Sequence, residues 1–351
     1  MTAKAKEITN ILRHELETGK YEIGKKFPSE HALMSRFKVA RATINKITTM
    51  LVSEGYLKRG VQGSGTMVCK NSRFPVGRIA YVGPLKHLYY MHMVYGIQAA
   101  ALENDYMLDI ALPSPSMIPQ YIEKLENAGI DGLLICGIFP PPVDYKLPIV
   151  ALDSGLPDVR YGCTVSCDNY KAAFEMAQHV IDKGHREIII ISDVAEVEFT
   201  RRKRIEGFSD AMIQAGIKDV ENRIFNPHGL VDTNIYLTLK MIFQKYPETT
   251  IILTDADDVA YRVINMLKRA NMASENVVVT GFGNIYKQNS AIATIEQYPQ
   301  QIGYTGCVEL LKAIKAGCHP SGLIELPAML VKTELIPKIS SDDFDAFENS
   351  K

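Results

Sequence analysis

Apolar positions along the chain repeat at two distinct spacings, and the change between them divides it. Near the N-terminus Ile8, Ile11, Leu12 and Leu16 recur at intervals of three and four. That spacing predicts an amphipathic helix ending near Gly19. A turn follows over 21–27, with Gly24 supplying the bend. Pro28 opens a second helix, and Ser29 and Glu30 lie in its first turn, where short polar and acidic groups suit exposed N–H groups. Ala32, Leu33 and Phe37 are its predicted buried face. After a turn at 38–40, a third helix runs from about Arg41 to Glu54. Ile44, Ile47, Leu51 and Val52 point inward in this reading, leaving Arg41, Thr43, Asn45 and Lys46 toward solvent. Two short strands, Tyr56–Arg59 and Thr66–Val68, flank the tip GVQGSG and predict a β-hairpin.

Beyond a polar, proline-ended connection at 70–75, the spacing changes. Continuous apolar runs at 78–82, 107–112, 132–136, 149–152, 187–191, 250–253 and 277–280 predict buried strands. Amphipathic segments at 94–104, 118–128, 172–183, 204–215, 234–246 and 256–270 predict helices between them. Buried Ile/Val strands alternating with such helices mean parallel sheets covered on both faces. The series occurs twice, so the expected fold is α/β with two lobes and a ligand crevice at their strand ends. The expected divisions are a helical and hairpin module over 1–70, a linker over 71–77, a two-lobed α/β body over 78–340, and an acidic tail over 341–351.

Charge sharpens this division. Residues 1–75 carry 14 Lys/Arg against 6 Asp/Glu, a net of +8, and the remainder carries 25 against 34, a net of −9. A basic module on an acidic body points to an anionic polymer as the module's partner. Charge alone does not separate that from a solvated lysine-rich face. No apolar run approaches the ~20 residues a membrane span needs, and the amphipathic N-terminus, with acids early, does not read as a signal peptide. The six cysteines form no paired framework, which suits a reducing, cytoplasmic setting. Cys163 and Cys167 would share one face of a strand, but no CxxC or HxxxH partner accompanies them, so neither a metal nor a cofactor is expected.

The motifs give the charge a meaning. A helix that presents Arg, Thr, Asn and Lys at its leading end suits the major groove, where Arg reads guanine and Asn reads adenine. The GVQGSG loop has the look of a phosphate cradle, yet it opens into a strand, so no helix N-terminus is available to hold phosphate. A wing lying along the duplex fits better, with Lys58, Arg59 and Gln62 near phosphates or the minor groove. The order xGxxxPSExxLxxxFxVxRxTI…LxxEGYLxRxxGxGTxV over residues 4–70 resembles the winged helix–turn–helix of the GntR family of bacterial regulators. That resemblance implies DNA contacts by Arg41 and Thr43 and places Gly63 at the wing tip. His31, Lys38, Ala40 and Asn45 depart from the usual Arg, Gly, Ser/Thr and Arg, so the family's base contacts do not transfer whole. The expected DNA-binding set is Ser29, Glu30, His31, Arg41, Thr43, Asn45, Lys46, Lys58, Arg59, Gln62 and Gly63, on double-stranded operator DNA. A winged helix used for protein contact is the alternative.

The segments DNYKAAFEMAQHVIDKGHREIIIIS, RRKRIEGFSDAMIQAG, TDADDVAYRVINMLKRA, VVVTGF and ATIEQYPQQIGYTG resemble, in their order, the effector domain of LacI/GalR-type repressors over about 77–336. That domain shares its fold with periplasmic sugar-binding proteins, and its fusion to a GntR-type reader is the arrangement of arabinose-repressor-like regulators. With no Trp, stacking on a sugar falls to the 17 Tyr and 12 Phe. Asp153, after the strand IVAL, can accept two hydroxyl bonds or simply make a turn. Arg204 matches a position that grips vicinal hydroxyls, although Arg201, Arg202 and Lys203 beside it leave the register open, as does a surface salt bridge. Asp257 matches an acidic position or caps the helix that starts there. Asn284 stands where an acidic pair is usual, and Gln297 matches a hinge glutamine. His87, Tyr89 and Tyr90, read as a loop after the first body strand, stack or bond hydroxyls, or only pack; Phe199 and Tyr286 are further candidates.

No Ser-His-Asp or Cys-His order sits in a recognisable elbow and no Lys is placed as in a pyridoxal enzyme, so an enzyme is not expected. The expectation is a homodimeric repressor released from its operator by a monosaccharide such as arabinose or fucose. A regulator of the same fold answering to a nucleobase or amino acid, or acting as an activator, is the rival; a carbohydrate enzyme with a DNA anchor is a third reading.

Overall fold

The computed structural model describes residues 3–60, 65–69, 75–112, 117–136, 146–154, 162–193, 199–272, 277–286 and 292–339. The chain divides into two compact units, Met1–Arg78 with Ala101–Met107, and Ile79–Ala100 with Leu108–Lys351.

In the N-terminal unit, helices α1 (Ala3–Glu17), α2 (Glu30–Phe37) and α3 (Arg41–Ser53) precede the antiparallel strands β1 (Leu57–Arg59) and β2 (Thr66–Val68). This is the predicted winged helix. Ile8, Leu12, Leu16, Leu33, Ile44, Ile47, Leu51 and Tyr56 close one core beneath the three helices. Two inward assignments fail: Ala32 is exposed and Ile11 is 38% exposed. Met34 packs against the core instead, because the eight-residue α2 presents only a narrow apolar stripe. Lys38 ends α2 at φ 50, a left-handed conformation that glycine adopts without the steric cost a side chain meets.

The second unit carries two sheets. The first has six strands in the order β13-β7-β6-β5-β3-β4: Gly322–Leu326, Cys163–Cys167, Ile149–Leu152, Gly132–Cys136, Gly77–Val82 and Tyr106–Ala111. Its pairs β13·β7, β7·β6, β6·β5 and β5·β3 are parallel. The second sheet has the order β11-β10-β8-β9 (Val278–Thr280, Ile251–Thr254, Ile188–Ile191, Ile224–Phe225), parallel throughout. Helices α4 (Leu88–Glu103), α5 (Ile118–Asn127) and α10 (Pro299–Ala316) accompany the first sheet. Helices α6 (Asn169–Asp182), α7 (Phe199–Gln214), α8 (Asp232–Lys245) and α9 (Asp257–Ala270) accompany the second. Strands β5, β6, β8 and β10 are buried along their whole length, as the sequence pattern requires of covered parallel sheets.

Among the described residues the chain passes between the lobes three times: after β7, between β12 (Thr294–Glu296) and α10, and between β13 and β14 (Met329–Val331), which pairs with β12. The passes are tied together. Asp168 N donates to Leu326 O at 2.9 Å, and Gln297 Nε2 donates to Cys167 Sγ at 3.3 Å. Close helix contact explains two glycines: a Cβ on Gly96 of α4 would stand 1.8 Å from Gln300 O, and one on Gly303 of α10 would stand 2.0 Å from Met93 O.

Two predicted boundaries were wrong in ways that matter. Helix α4 starts at Leu88, so Tyr89 and Tyr90 belong to its first turn and not to a loop. Helix α7 starts at Phe199, five residues before the predicted start. Both early turns lack regular 3.6 periodicity, because aromatic or charged residues fill nearly every position.

Candidate functional site

On the winged helix, Ser29 is the N-cap of α2, its Oγ accepting from Ala32 N at 3.2 Å. Ala40, the N-cap of α3, offers no side-chain bond. The leading end of α3 is networked to its neighbours. Glu30 accepts from Arg41 Nε at 2.8 Å and from Asn45 Nδ2 at 3.3 Å. Arg59 Nη2 donates to Asn45 Oδ1 at 3.1 Å and to Thr49 Oγ1 at 2.7 Å. Thus Arg59, expected near phosphate, is turned onto α3 in the free protein. His31, Arg41, Asn45, Lys46 and Lys58 are exposed, and Thr43 is half-buried. Gln62 and Gly63 lie outside the described residues.

In the two-lobed unit, most of the predicted effector residues gather where the lobes meet. Arg204 is the buried member of its basic run, at 6% exposure. Its Nε donates to Asn169 Oδ1 at 2.7 Å, its Nη1 to Asp255 O at 2.8 Å, and its guanidinium lies 4.0 Å from the Phe282 ring centroid. Tyr89 is buried, with its hydroxyl 3.5 Å from Gln297 Nε2. Burial pushes the Tyr89 phenol well above its ordinary value; the nearby Asp153 charge adds to this and Arg204 opposes it. Tyr90 stands edge-on to Tyr89 at 5.5 Å and to His87 at 6.2 Å. Asp153 follows β6 at φ 49 and is half-buried. Across the lobes, His87 Nε2 meets Asp258 Oδ2 at 2.9 Å; within the second lobe, Tyr286 OH donates to Asp258 Oδ1 at 2.7 Å. Those bonds, His87 first, hold the Asp258 carboxyl below its usual range. For Phe199 only its place, the first residue of α7, is described.

Asp257 and Asn284 form a separate cluster with β12. Asp257 is buried, accepting from Thr294 Oγ1 at 2.5 Å and Ile285 N at 2.8 Å, and burial raises its carboxyl. Both oxygens are engaged, so Asp257 ties loop 283–285 and β12 to α9. Asn284 Nδ2 donates to Glu296 Oε2 at 2.8 Å. The sequence reading missed Asp255, fully buried and bonded to Ser192 Oγ, together with Asn169, Glu296 and Asp258. Asp255 and Asp258 were visible in the run TDADD, but periodicity does not say which of three acids in one turn faces inward. Among the described residues no group of three or more His, Cys, Asp or Glu could hold a metal ion. Buried Cys167 is pushed up to about 12 by burial and by Asp153, and the Cys136 thiol also rises with burial, so both are neutral.

Residues 79–333 match the sequence profile of the family described as periplasmic binding proteins and sugar binding domain of LacI family. The chain belongs to this family. Residues 4–68 match bacterial regulatory proteins of the gntR family, so a GntR-type helix–turn–helix precedes the LacI-type body in a DNA-binding transcription regulator. The chain is 23% identical over 314 residues to the HTH-type transcriptional repressor PurR of Photobacterium profundum, covering 86% of this chain and 92% of that one. It is 23% identical over 303 residues to the repressor CytR of Escherichia coli, covering 83% and 86%. Among solved structures, the transcriptional regulator CelR–cellobiose complex has a TM-score of 0.64 at 16% identity, over 87% of this chain and 98% of that one. The trehalose repressor from Escherichia coli has a TM-score of 0.62 at 20% identity, over 72% and 99%. At these identities the structural likeness establishes the fold. No described helix is long and apolar enough to cross a membrane.

Proposed function

We propose that the protein is a cytoplasmic, homodimeric repressor that a monosaccharide such as arabinose or fucose releases from a pseudo-palindromic operator. The observation that carries this reading is the convergence of Arg204, Tyr89, Tyr90, Asp153 and Gln297 around the interlobe passes, where charge, amide and aromatic surface stand together. Such a set suits a polyhydroxylated ring with an apolar face. His87 and Asp258 join opposite lobes beside it, so lobe closure on a ligand and this bond are energetically coupled. The relatives' names support repression, and the neighbours titled with cellobiose and trehalose support a sugar.

DNA binding is assigned to residues 1–70, joined through 71–77 to the effector and dimerisation domain at 78–340, with 341–351 as a tail. Arg41, Asn45 and Lys46 read the major groove, with Thr43, His31, Lys58 and the wing residues Gln62 and Gly63 beside them. Ser29 and Glu30 organise that surface. The test is selection of an operator from random duplexes, then anisotropy titration of the full chain with monosaccharides and nucleobases. A sugar that lowers operator affinity supports the proposal. A response to a nucleobase alone, or none to any sugar, sinks its effector half.

A further inference from the structure

The leading end of α3 is held from two sides, by α2 and by the wing strand β1. Glu30 of α2 uses its two oxygens on two different residues. Its Oε2 accepts from Arg41 Nε at 2.8 Å, and its Oε1 accepts from Asn45 Nδ2 at 3.3 Å. From β1, Arg59 Nη2 donates to Asn45 Oδ1 at 3.1 Å and to Thr49 Oγ1 at 2.7 Å. Thr49, one turn further along α3, donates to the Asn45 main-chain oxygen at 2.8 Å, and its Oγ1 also lies 3.3 Å from Asn45 Oδ1. Asn45 thus joins the wing to α2 while its side chain stays exposed, in an open groove that it lines with Arg41, Ala42 and Lys46.

The chemistry of the two partners fixes which way the Asn45 amide faces. A guanidinium only donates, and an ionised carboxylate only accepts. Asn45 Oδ1 therefore belongs toward Arg59 and Nδ2 toward Glu30. Turning the amide over would set an oxygen against the carboxylate and an NH₂ against the guanidinium, with both charge-assisted bonds lost. A side-chain amide has two N–H groups and two lone pairs on its oxygen. With one of each committed to Glu30 and Arg59, one donor and one acceptor remain. Adenine presents the complement, an acceptor at N7 and a donor at N6, whereas guanine presents two acceptors on the same edge. Ala42 lies three residues before Asn45 on the same exposed side, and an alanine methyl suits contact with the methyl of thymine.

We infer that Asn45 reads one adenine in each operator half-site and that Arg59 and Glu30 are positioning residues for that contact, fixing the amide before DNA arrives. This rests on the proposed entry of α3 into the major groove. Arg59 then acts on DNA through Asn45 and not through a phosphate. An amide already held in its reading orientation loses less side-chain freedom on binding. Glu30 bonds Arg41 as well, so a single carboxylate sets the spacing between two reading side chains.

The test selects an operator from random duplexes with the full chain, then measures affinity by anisotropy for every single-base-pair variant at several salt concentrations. Asn45→Ala is expected to lower discrimination at least about tenfold at one A·T pair per half-site. Arg59→Met keeps the apolar stem and removes the donor. It is expected to lower discrimination about tenfold at the same pair and to leave the slope of log affinity against log salt unchanged. Adding Arg59→Met to Asn45→Ala is expected to cause no further loss there, since both act through one amide. The Arg41, Asn45 and Arg59 side chains are exposed, so none of these substitutions opens the core. Uniform weakening by Arg59→Met with a slope smaller by about one would make Arg59 a phosphate contact and overturn the inference. A base pair other than A·T at the Asn45-dependent position overturns it as well. Arg41→Ala separates the two layers. Base preference lost with Arg41→Ala alone overturns this inference and leaves α3 in the groove, whereas preferences unchanged by all three substitutions overturn that placement too.

Discussion

Arg204→Ala is the perturbation whose cost the structure defines best. The guanidinium donates to Asn169 Oδ1 and Asp255 O and covers the Phe282 ring, all in a buried setting. Removing it strands two buried acceptors, each costing about 1–3 kcal/mol. It also removes a desolvated cation–π contact of about 2 kcal/mol. Relief of the buried cation's own desolvation offsets part of this. The expected net loss is about 4 kcal/mol from the LacI-type body, the sum of those contributions less that offset. Asn169 Nδ2 also donates to Cys167 O, so the first interlobe pass loosens with it. The measurement is urea unfolding followed by tyrosine emission, since the chain has no Trp. Arg204→Lys is expected to keep the charge but lose one of the two bonds, and to fall between the wild type and Arg204→Ala. A loss below about 1 kcal/mol for Arg204→Ala would refute the claim that these bonds hold the cleft in solution. The consequence for effector assays is direct: a silent Arg204→Ala protein reports damage to the site's frame as well as loss of the ligand contact proposed for Arg204, so the Lys variant is the sharper probe.

Ser29→Ala removes the α2 cap and is expected to cost about 1 kcal/mol in the thermal unfolding of the N-terminal unit. Lys38→Gly relieves a left-handed side chain, worth about 1–2 kcal/mol, against glycine's entropic cost of about 0.5–1 kcal/mol; a small gain in melting temperature is expected, and a drop refutes the strain. Glu15 is lowered to about 2, first by Arg36 and then by Lys20 and Tyr21. Its folded value lies below the unfolded one, so its contribution is complete above about 4.3 and fades as pH falls from there toward 2. The stability gap between wild type and Glu15→Gln should therefore be present at neutral pH and close over that acid window. Arg41→Ala is expected to weaken operator binding, and a base-reading role predicts relaxed specificity of about 1–3 kcal/mol at one position in a selection experiment. Uniform weakening across sequences would assign Arg41 to phosphate instead.

The fold was legible where burial is local. In α1 and α3 a single apolar stripe meets a single core, so the intervals between Ile8, Leu12, Leu16, Ile44, Ile47 and Leu51 fix helix and face together. The strands at Gly132–Cys136 and Ile188–Ile191 were legible because both faces of a parallel sheet are covered and nearly every position is apolar. The strands β12, β13 and β14, which flank the interlobe passes, were not. They are three to five residues long, and their pairing is with segments far away in the chain.

The candidate site divides in the same way. By itself the sequence determined that a basic winged helix precedes a LacI-type α/β body, because composition, periodicity and motif order are properties of neighbours along the chain. It also named Arg204 and Gln297. Only the tertiary structure decided that Arg59 turns back onto Asn45, that Asp257 ties β12 to α9, and that Asn284 faces Glu296 at the hinge. Each of those outcomes rests on which partner satisfies a polar group in three dimensions, and the partners stand up to 37 residues away.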